Sequence, residues 1–302
     1  ICEQVEDPKN AKGVVKRDVV EVVSPGTALA DSLLEGNRNN FLLGVTWRSN
    51  KVGLAQIDLS TGDFILDEMD VKDLHDELKN IDPTELLISD KIDIGEVEEI
   101  KKVLPNASLS YIEDWNFSDD TARLLLLEQF RTNSLKGFGC DDLTLGVCAG
   151  GAVVAYLRKN QKGAVDHINR VERRHRGDHA IIDVVAKRNL ELVENQLDGG
   201  RHGSLVESLD ETCTPMGARL LRQWLVQPLK TPHLIIQRSD VVEELILKVT
   251  IRERLRTLME VTGDLERLMA RICCQRANGR DIAALATSLE ILPAFKETIS
   301  NL

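Results

Sequence analysis

Three stretches of the chain hold residue types whose spacing could do chemistry. In NQLDGGRHGSLVESLDETCTPMGARLLRQWLVQPL, from Asn195 to Leu229, Gly199, Gly200 and Gly203 precede a helical pattern with Trp224 and a polar side of arginine and glutamine. Glycines ahead of a helix are what a phosphate cradle uses. In KGAVDHINRVERRHRGD, Arg170, Arg173, Arg174 and Arg176 crowd together with His167, His175 and His179, which invites phosphate contact or metal ligation. Asp58 and Asp63 flank Ser60-Thr61-Gly62. Neighbouring carboxylates are what a metal-dependent nuclease needs to clamp the attacking and leaving oxygens.

Each pattern also has a structural reading. A P-loop ends in Gly-Lys-Ser/Thr after a buried strand. Here the glycines follow the helical pattern IIDVVAKRNLELVENQ and give way to SLVESLD, which predicts a helix C-cap and a turn. The basic run has no interleaved aromatic residues to stack on bases. Its histidines, spaced by eight and four residues, make a poor metal cage, so a solvated linker is expected. Asp58 and Asp63 fall at a strand end and a turn, where solvated turn formers are ordinary. Cys2, Cys140, Cys148, Cys213, Cys273 and Cys274 show no C-x-x-C spacing and read as buried, reduced thiols. No catalytic, cofactor-binding or metal-ligating residue is expected.

The elements that would carry these residues divide the chain in two. FLLGVTW (Phe41 to Trp47), Val52 to Asp58 and Asp63 to Leu66 are β-rich runs separated by Ser49-Asn50 and by Ser60 to Asp63, which predicts a β-meander. DVKDLHDELKN, ELLIS, IGEVEEIKKVLP and SLSYIED then alternate helix and strand, giving an α/β domain with a mixed sheet. TLGVCAGGAVVAYLRKNQKG predicts a helix from a Thr144 N-cap to Gly163, with small residues from Ala149 to Ala152 that permit close packing on a sheet. Beyond Asp178 the periodicity is helical. Val242, Leu245, Ile246 and Val249 recur at i, i+3, i+4 and i+7, as do Leu265, Leu268, Met269 and Ile272, and Ile282, Leu285, Ala286 and Leu289. Thr214 is the expected N-cap of a helix with Pro215 at its first position, with Met216, Leu220, Leu221, Trp224 and Leu225 on one face and Pro228 as its stop.

Composition adds bounds. With 42% hydrophobic and 29% charged residues the chain is an ordinary soluble globular protein, and no apolar run is long enough to span a bilayer. A net charge of -11 excludes a surface that is basic throughout. The opening on Ile1 and the close on Asn301-Leu302 within a helical pattern read as an excised segment, and no signal peptide is seen.

RNLELVENQLDGGRHGSLVESLDETCTPMGARLLRQWLVQPL, followed by GDLERLMARICCQRANGRDIAAL, closely resembles the core or lever domain of the MutS family of DNA mismatch-repair proteins, in its bacterial form. FLLGVTW with VGLAQIDLSTGDF is similar to the family's connector domain, and ICEQVEDPKNAKGVVKRDVVEVVSPGT to the end of its mismatch-recognition domain. The resemblance implies α/β plus all-α architecture, a ribonuclease-H-like connector followed by a helical core. Expected boundaries are 1-27 for the recognition-domain remnant, 28-40 linker, 41-163 connector, 164-180 linker and 181-302 partial core.

It further implies a non-catalytic segment of a cytoplasmic protein that recognises mismatched duplex DNA, relaying conformational signals between DNA-reading and ATPase parts. The mismatch-reading Phe-x-Glu, the clamp and the ATPase would lie outside this chain, with ATP and Mg belonging to the intact parent. So would its homodimer contacts. MutL is expected to dock on the connector near FSDDTARLLLLEQF, with Asp120, Arg123 and Leu124 as the residues concerned. Lys12, Lys16 and Arg17 are expected near DNA phosphates; Lys16 and Arg17 are the pair retained as candidates. Two alternatives are a ribonuclease-H-like nuclease, against which the acid-free first strand FLLGVTW speaks, and a general protein-interaction scaffold.

Overall fold

The computed structural model describes residues 1–4, 15–161, 165–174 and 177–300. The chain falls into two units. One comprises Ile1–Leu33, Asn40–Arg174 and Cys273–Gln275; the other comprises Leu34–Asn39, His175–Ile272 and Arg276–Leu302.

The first unit begins with a two-stranded antiparallel ribbon, β1 (Cys2–Gln4) and β2 (Arg17–Val19). Its body is a mixed sheet built from β3 (Leu42–Arg48), β4 (Lys51–Asp58), β5 (Asp63–Asp70), β6 (Glu85–Ser89), β7 (Ser108–Ile112) and β8 (Glu172–Arg173). The spatial order is β7-β6-β3-β4-β5-β8. β3, β4 and β5 form the expected antiparallel meander, while β6, β7 and β8 join in parallel. Turn chemistry sets this up. Ser49 takes a left-handed φ of 57° between β3 and β4, and Gly62 at φ 81° closes the loop onto the Asp58 carbonyl at 2.8 Å.

Helices α1 (Leu74–Ile81), α2 (Ile94–Val103), α3 (Asp119–Gln129) and α4 (Leu145–Gln161) complete the unit. One sheet face carries Leu43, Val45, Val52, Leu54, Leu86 and Ile88, which pack with Leu74, Leu78 and Ile81 of α1 and Ile100 of α2. Alternation along the strands turns the other face toward α4. α4 is buried nearly all round, so its sequence is apolar and small rather than amphipathic. A Cβ on Gly53 of β4 would lie 2.1 Å from the Leu145 carbonyl carbon, so only glycine allows the helix to start there. Gly150 faces the Leu66 side chain, as close packing on the sheet requires, whereas Gly151 faces a neighbouring helix: a Cβ there would sit 2.2 Å from Ala122 Cα of α3. The α4 N-terminus is held differently from the expected Thr144 side-chain cap. Glu68 accepts the Leu145 N–H at 2.9 Å, and Thr144 supplies its carbonyl to Cys148.

Two further expectations for this unit change. β5 continues to Asp70, past the predicted Leu66. Residues 165–174, expected to belong to a solvated linker, pack instead as an edge of the unit: Val165, Ile168 and Val171 are buried, and β8 pairs with β5.

The second unit is helical, with α5 (Val184–Asn189), α6 (Leu205–Leu209), α7 (Pro215–Val226), α8 (Pro232–Leu247), α9 (Val249–Glu260), α10 (Leu265–Cys273) and α11 (Gly279–Ile299). Thr214 caps α7 by accepting the Gly217 N–H at 3.0 Å, Pro215 opens the helix, and it ends before Pro228. Its inward residues differ from the expected stripe. Leu220 and Trp224 are 46% and 41% exposed, whereas Ala218 and Arg219 are buried. The pattern predicted through Gln196 yields only the short α5, followed by turns. Val242 and Ile246 on α8, and Ile282 and Leu289 on α11, are also exposed. Periodicity identified those faces as apolar; it does not say that they are covered.

Candidate functional site

The glycine turn is occupied by its own acids. Gly199 and Gly203 take left-handed φ values of 71° and 81°, which only glycine tolerates freely. The Gly200 N–H donates to Asp198 at 2.8 Å and the Gly203 N–H to Glu207 at 2.6 Å. These backbone hydrogen bonds come first among the causes that lower the pKa of both carboxylates. Arg201 pairs with Asp210 at 2.5 Å. A nest whose amides already hold carboxylates does not fit a nucleotide phosphate, and the turn is structural. Ser204 then caps α6 through the Glu207 N–H.

The basic run is likewise internal wiring. Arg173 binds Asp142 at 2.8 Å, and Arg170 lies 3.6 Å from Glu172. Arg174 sits between Asp67 and Glu77, each at 3.5 Å, and donates to Gln56. His167 donates Nε2–H to the Leu59 carbonyl at 2.8 Å; burial pulls its pKa below the ordinary value and outweighs that bond, leaving a neutral ring. His179 forms an isolated bridge with Leu229; His175, Arg176 and Lys12 lie outside the described residues. Among the described residues, no group of three or more His, Cys, Asp or Glu side chains converges to hold a metal.

Asp58 is fully buried and accepts from the Asn40 N–H at 3.0 Å, the Ser60 N–H at 2.9 Å and the Ser60 hydroxyl at 2.7 Å, so it is a buried anchor rather than a solvated turn former. Asp63 stays at the surface beside Thr61. Burial pushes the Cys140 thiol up to about 11 and raises that of Cys148, which makes both poor nucleophiles.

One cluster escaped the sequence reading. Arg219, placed by pattern on the polar side of α7, points inward and is 5% exposed. It donates to Asp264 at 2.7 and 2.9 Å, to Glu266 at 2.6 Å and to the Gly36 carbonyl at 3.0 Å. Burial alone would lower its pKa, but the hydrogen bonds and charges of Asp264 and Glu266 override that and raise it. Arg267, 3% exposed, donates to the Arg38 carbonyl at 2.7 Å, and Arg271 to Asp281 at 2.8 Å. The usable signal was Asp264-Leu-Glu266-Arg267, acids and a cation crowded at the start of an amphipathic helix.

On α3, Asp120, Leu124 and Glu128 recur at i, i+4 and i+8 along an exposed stripe, and Leu124 is 67% exposed. Arg123 is half-buried, 3.4 Å from Asp141. Ala122 and Leu126 face inward. Lys16 and Arg17 are exposed at the start of β2. The structure therefore groups Asp120 with Leu124 and turns Arg123 toward Asp141.

Three consecutive family models match the chain: MutS domain I over residues 1–32, MutS domain II over 40–169 and MutS domain III over 185–302. The chain is 42% identical over 298 residues to the DNA mismatch repair protein MutS of Salinibacter ruber, covering 97% of this chain and 33% of that protein. It is 39% identical over 305 residues to the protein of the same name from Symbiobacterium thermophilum, and 36% identical over 303 residues to that of Chlorobium phaeovibrioides. In these two the match covers 100% and 99% of this chain, and 35% of each relative.

This chain belongs to the MutS family.

It spans about a third of the length of the curated relatives it matches. MutS domain II spans β3 to β7 and α1 to α4, so α3 and its exposed stripe are domain II features. The glycine turn and the Arg219 cluster belong to MutS domain III. Residues 33–39, between the domain I and domain II matches, group with the helical unit from Leu34 onward.

Proposed function

We propose that this chain is the connecting and lever section of a cytoplasmic mismatch-repair protein, carrying conformational signals between the parts that read mismatched duplex DNA and the parts that use ATP with Mg. The observation that carries the reading is the order of three MutS domains, I, II and III, along one chain. The chemistry of the described residues is consistent with it: buried acids and cations are committed to one another, as suits a relay made of packed elements rather than a catalyst. ATP and Mg belong, in this reading, to the longer protein, as do its homodimer contacts.

Domain II also docks MutL, through the α3 stripe. Leu124 supplies the apolar contact and Asp120 the flanking charge, while Arg123 orders the helix from its Asp141 side. Leu124 is the exposed apolar side chain of the stripe, flanked one turn away on each side by Asp120 and Glu128. Titrating the chain with purified MutL tests this. Saturable binding that Leu124→Glu weakens about tenfold or more, with the circular dichroism of the free chain unchanged, is the expected result for loss of an interface anchor. Equal binding by wild type and Leu124→Glu would remove α3 from the interface.

A further inference from the structure

The chain leaves the first unit after Leu33, runs through Leu34–Asn39 as part of the helical unit, and returns to the first unit at Asn40. Buried polar groups hold the chain at Pro25, Gly26 and Asn40 in the first unit and at the middle of the excursion in the second. In the first unit, Glu85, fully buried, accepts the Gly26 N–H at 2.8 Å and is itself held by Tyr156 and Ser110, each at 2.6 Å. Asn40 gives its N–H to Asp58 and its side-chain amide to the Pro25 carbonyl at 2.7 Å. In the helical unit, the Gly36 and Arg38 carbonyls are taken by Arg219 and Arg267. The Arg38 side chain lies 3.7 Å from Glu194, which Arg222 approaches at 3.5 Å.

Two buried guanidinium groups donate to the Gly36 and Arg38 carbonyls of one six-residue connection, which is more than an α-helical core needs. The guanidinium of Arg219 reaches three acceptors at once, and Asp264 is shared: it also accepts the Arg267 N–H at 3.3 Å, at the start of α10. A shift of the Gly263–Asp264 turn therefore moves both donors together.

We propose that residues 34–39 form a strap clamped to the helical unit by Arg219 and Arg267, which act as positioning residues for this segment. The strap is followed by Asn40 and Phe41 and then by β3. It deepens the relay reading by naming the segment that would carry it, but the clamp itself is measurable without DNA, nucleotide or MutL, so its failure and that of the relay are separable.

The Arg38 carbonyl held by Arg267 is the scissile carbonyl of a trypsin site, Arg38-Asn39. Limited trypsin digestion of the whole chain, followed by mass spectrometry, reads the clamp directly, with a free peptide of residues 33–42 giving the intrinsic cleavage rate. Backbone amide exchange of residues 36–40 is followed in parallel. In wild type the Arg38-Asn39 bond is expected to be cut at least about a hundredfold more slowly than in the peptide, since cleavage tracks local opening. Arg267→Met and Arg267→Lys are each expected to speed that cut about tenfold, roughly the loss of one charge-assisted hydrogen bond, while amides of β3 to β5 and α11 keep wild-type protection. The lysine variant retains the charge near Asp264, so it separates loss of the clamp from loss of a buried cation. Cleavage of wild type at the peptide rate would overturn the proposal. So would unchanged protection of residues 36–40 in both variants, or a loss of protection spread evenly over the helical unit, which would make Arg267 a core residue and not a clamp.

Discussion

Replacing Arg219 with methionine removes the guanidinium while keeping most of the buried stem. Four hydrogen bonds go with it, two to Asp264 and one each to Glu266 and the Gly36 carbonyl. Exposed ion pairs contribute about 0–1 kcal/mol, but removing one partner of a buried pair costs about 3–5 kcal/mol, because the other charge is left without compensation. The side chains decide where in that range the change falls. Arg219 is 4% exposed, Asp264 16% and Glu266 45%. Glu266 can rehydrate and Asp264 only partly, which places the loss near the lower end, about 3 kcal/mol. With a urea slope of roughly 2 kcal/mol/M, the midpoint of the helical unit falls by roughly 1.5 M. Trp224 lies on the same helix as Arg219, so its fluorescence reports the transition once Trp47 and Trp115 are replaced by phenylalanine. Adding Asp264→Asn removes the orphaned charge but keeps an oxygen for the Arg267 N–H, and the double variant is expected to lose less than the sum of the singles. A loss below about 1 kcal/mol for Arg219→Met, the size expected of a surface pair, would refute the reasoning.

Gly151→Ala should destabilise the first unit by about 1–3 kcal/mol in urea unfolding, because the new methyl would meet the α3 backbone at Ala122; in an open helix the same change would gain roughly 1 kcal/mol. His167 should make stability depend on acid. Its folded pKa lies below the ordinary imidazole value of 6.5, so the stability it contributes is complete above 6.5 and is lost as pH falls toward the folded value, where the unfolded chain binds a proton that the folded one refuses. The difference in unfolding free energy between wild type and His167→Gln, measured from pH 8 to about pH 5, should shrink in that direction; a flat difference would show that the ring is not held neutral. Gly203→Ala should destabilise α6 and its preceding turn by about 1 kcal/mol or more, since a left-handed φ of 81° disfavours a side chain although nothing blocks the space, and amide exchange at Glu207 would report it.

Much of this architecture was legible from local pattern. The meander followed from β-rich runs separated by turn residues, and α7 from Thr214, Pro215 and Pro228, because capping and turn chemistry act within a few residues. What escaped depends on partners far along the chain. β5 seemed to end at Leu66 because Asp67, Glu68 and Asp70 look like a turn. In the fold Asp67 pairs with Arg174 and Glu68 holds the start of α4. The run of arginines looked like a solvated linker for the same reason: its acids, Asp142, Asp67 and Glu77, are 31, 107 and 97 residues away. Asp58 passed as a surface turn former because two of its partners, the Ser60 N–H and hydroxyl, are those of a local turn, while the third, the Asn40 N–H, comes from before β3. Arg219 was hidden by its residue type, since an arginine among leucines marks a polar face unless an acid pair such as Asp264 and Glu266 is known to meet it.

The central claim is that this chain links and positions but does not itself read mismatches. Binding of the chain to matched and singly mismatched duplexes of the same sequence, at two salt concentrations, tests it most directly. The account predicts equal affinity for the two duplexes at each salt concentration. Any binding should weaken with salt, and Lys16→Ala/Arg17→Ala should flatten the logarithmic salt slope by up to about 2, close to 0.9 per phosphate contact. A preference of about tenfold or more for the mismatched duplex, the range in which a single base pair is discriminated, would contradict it and place a reading surface within these residues.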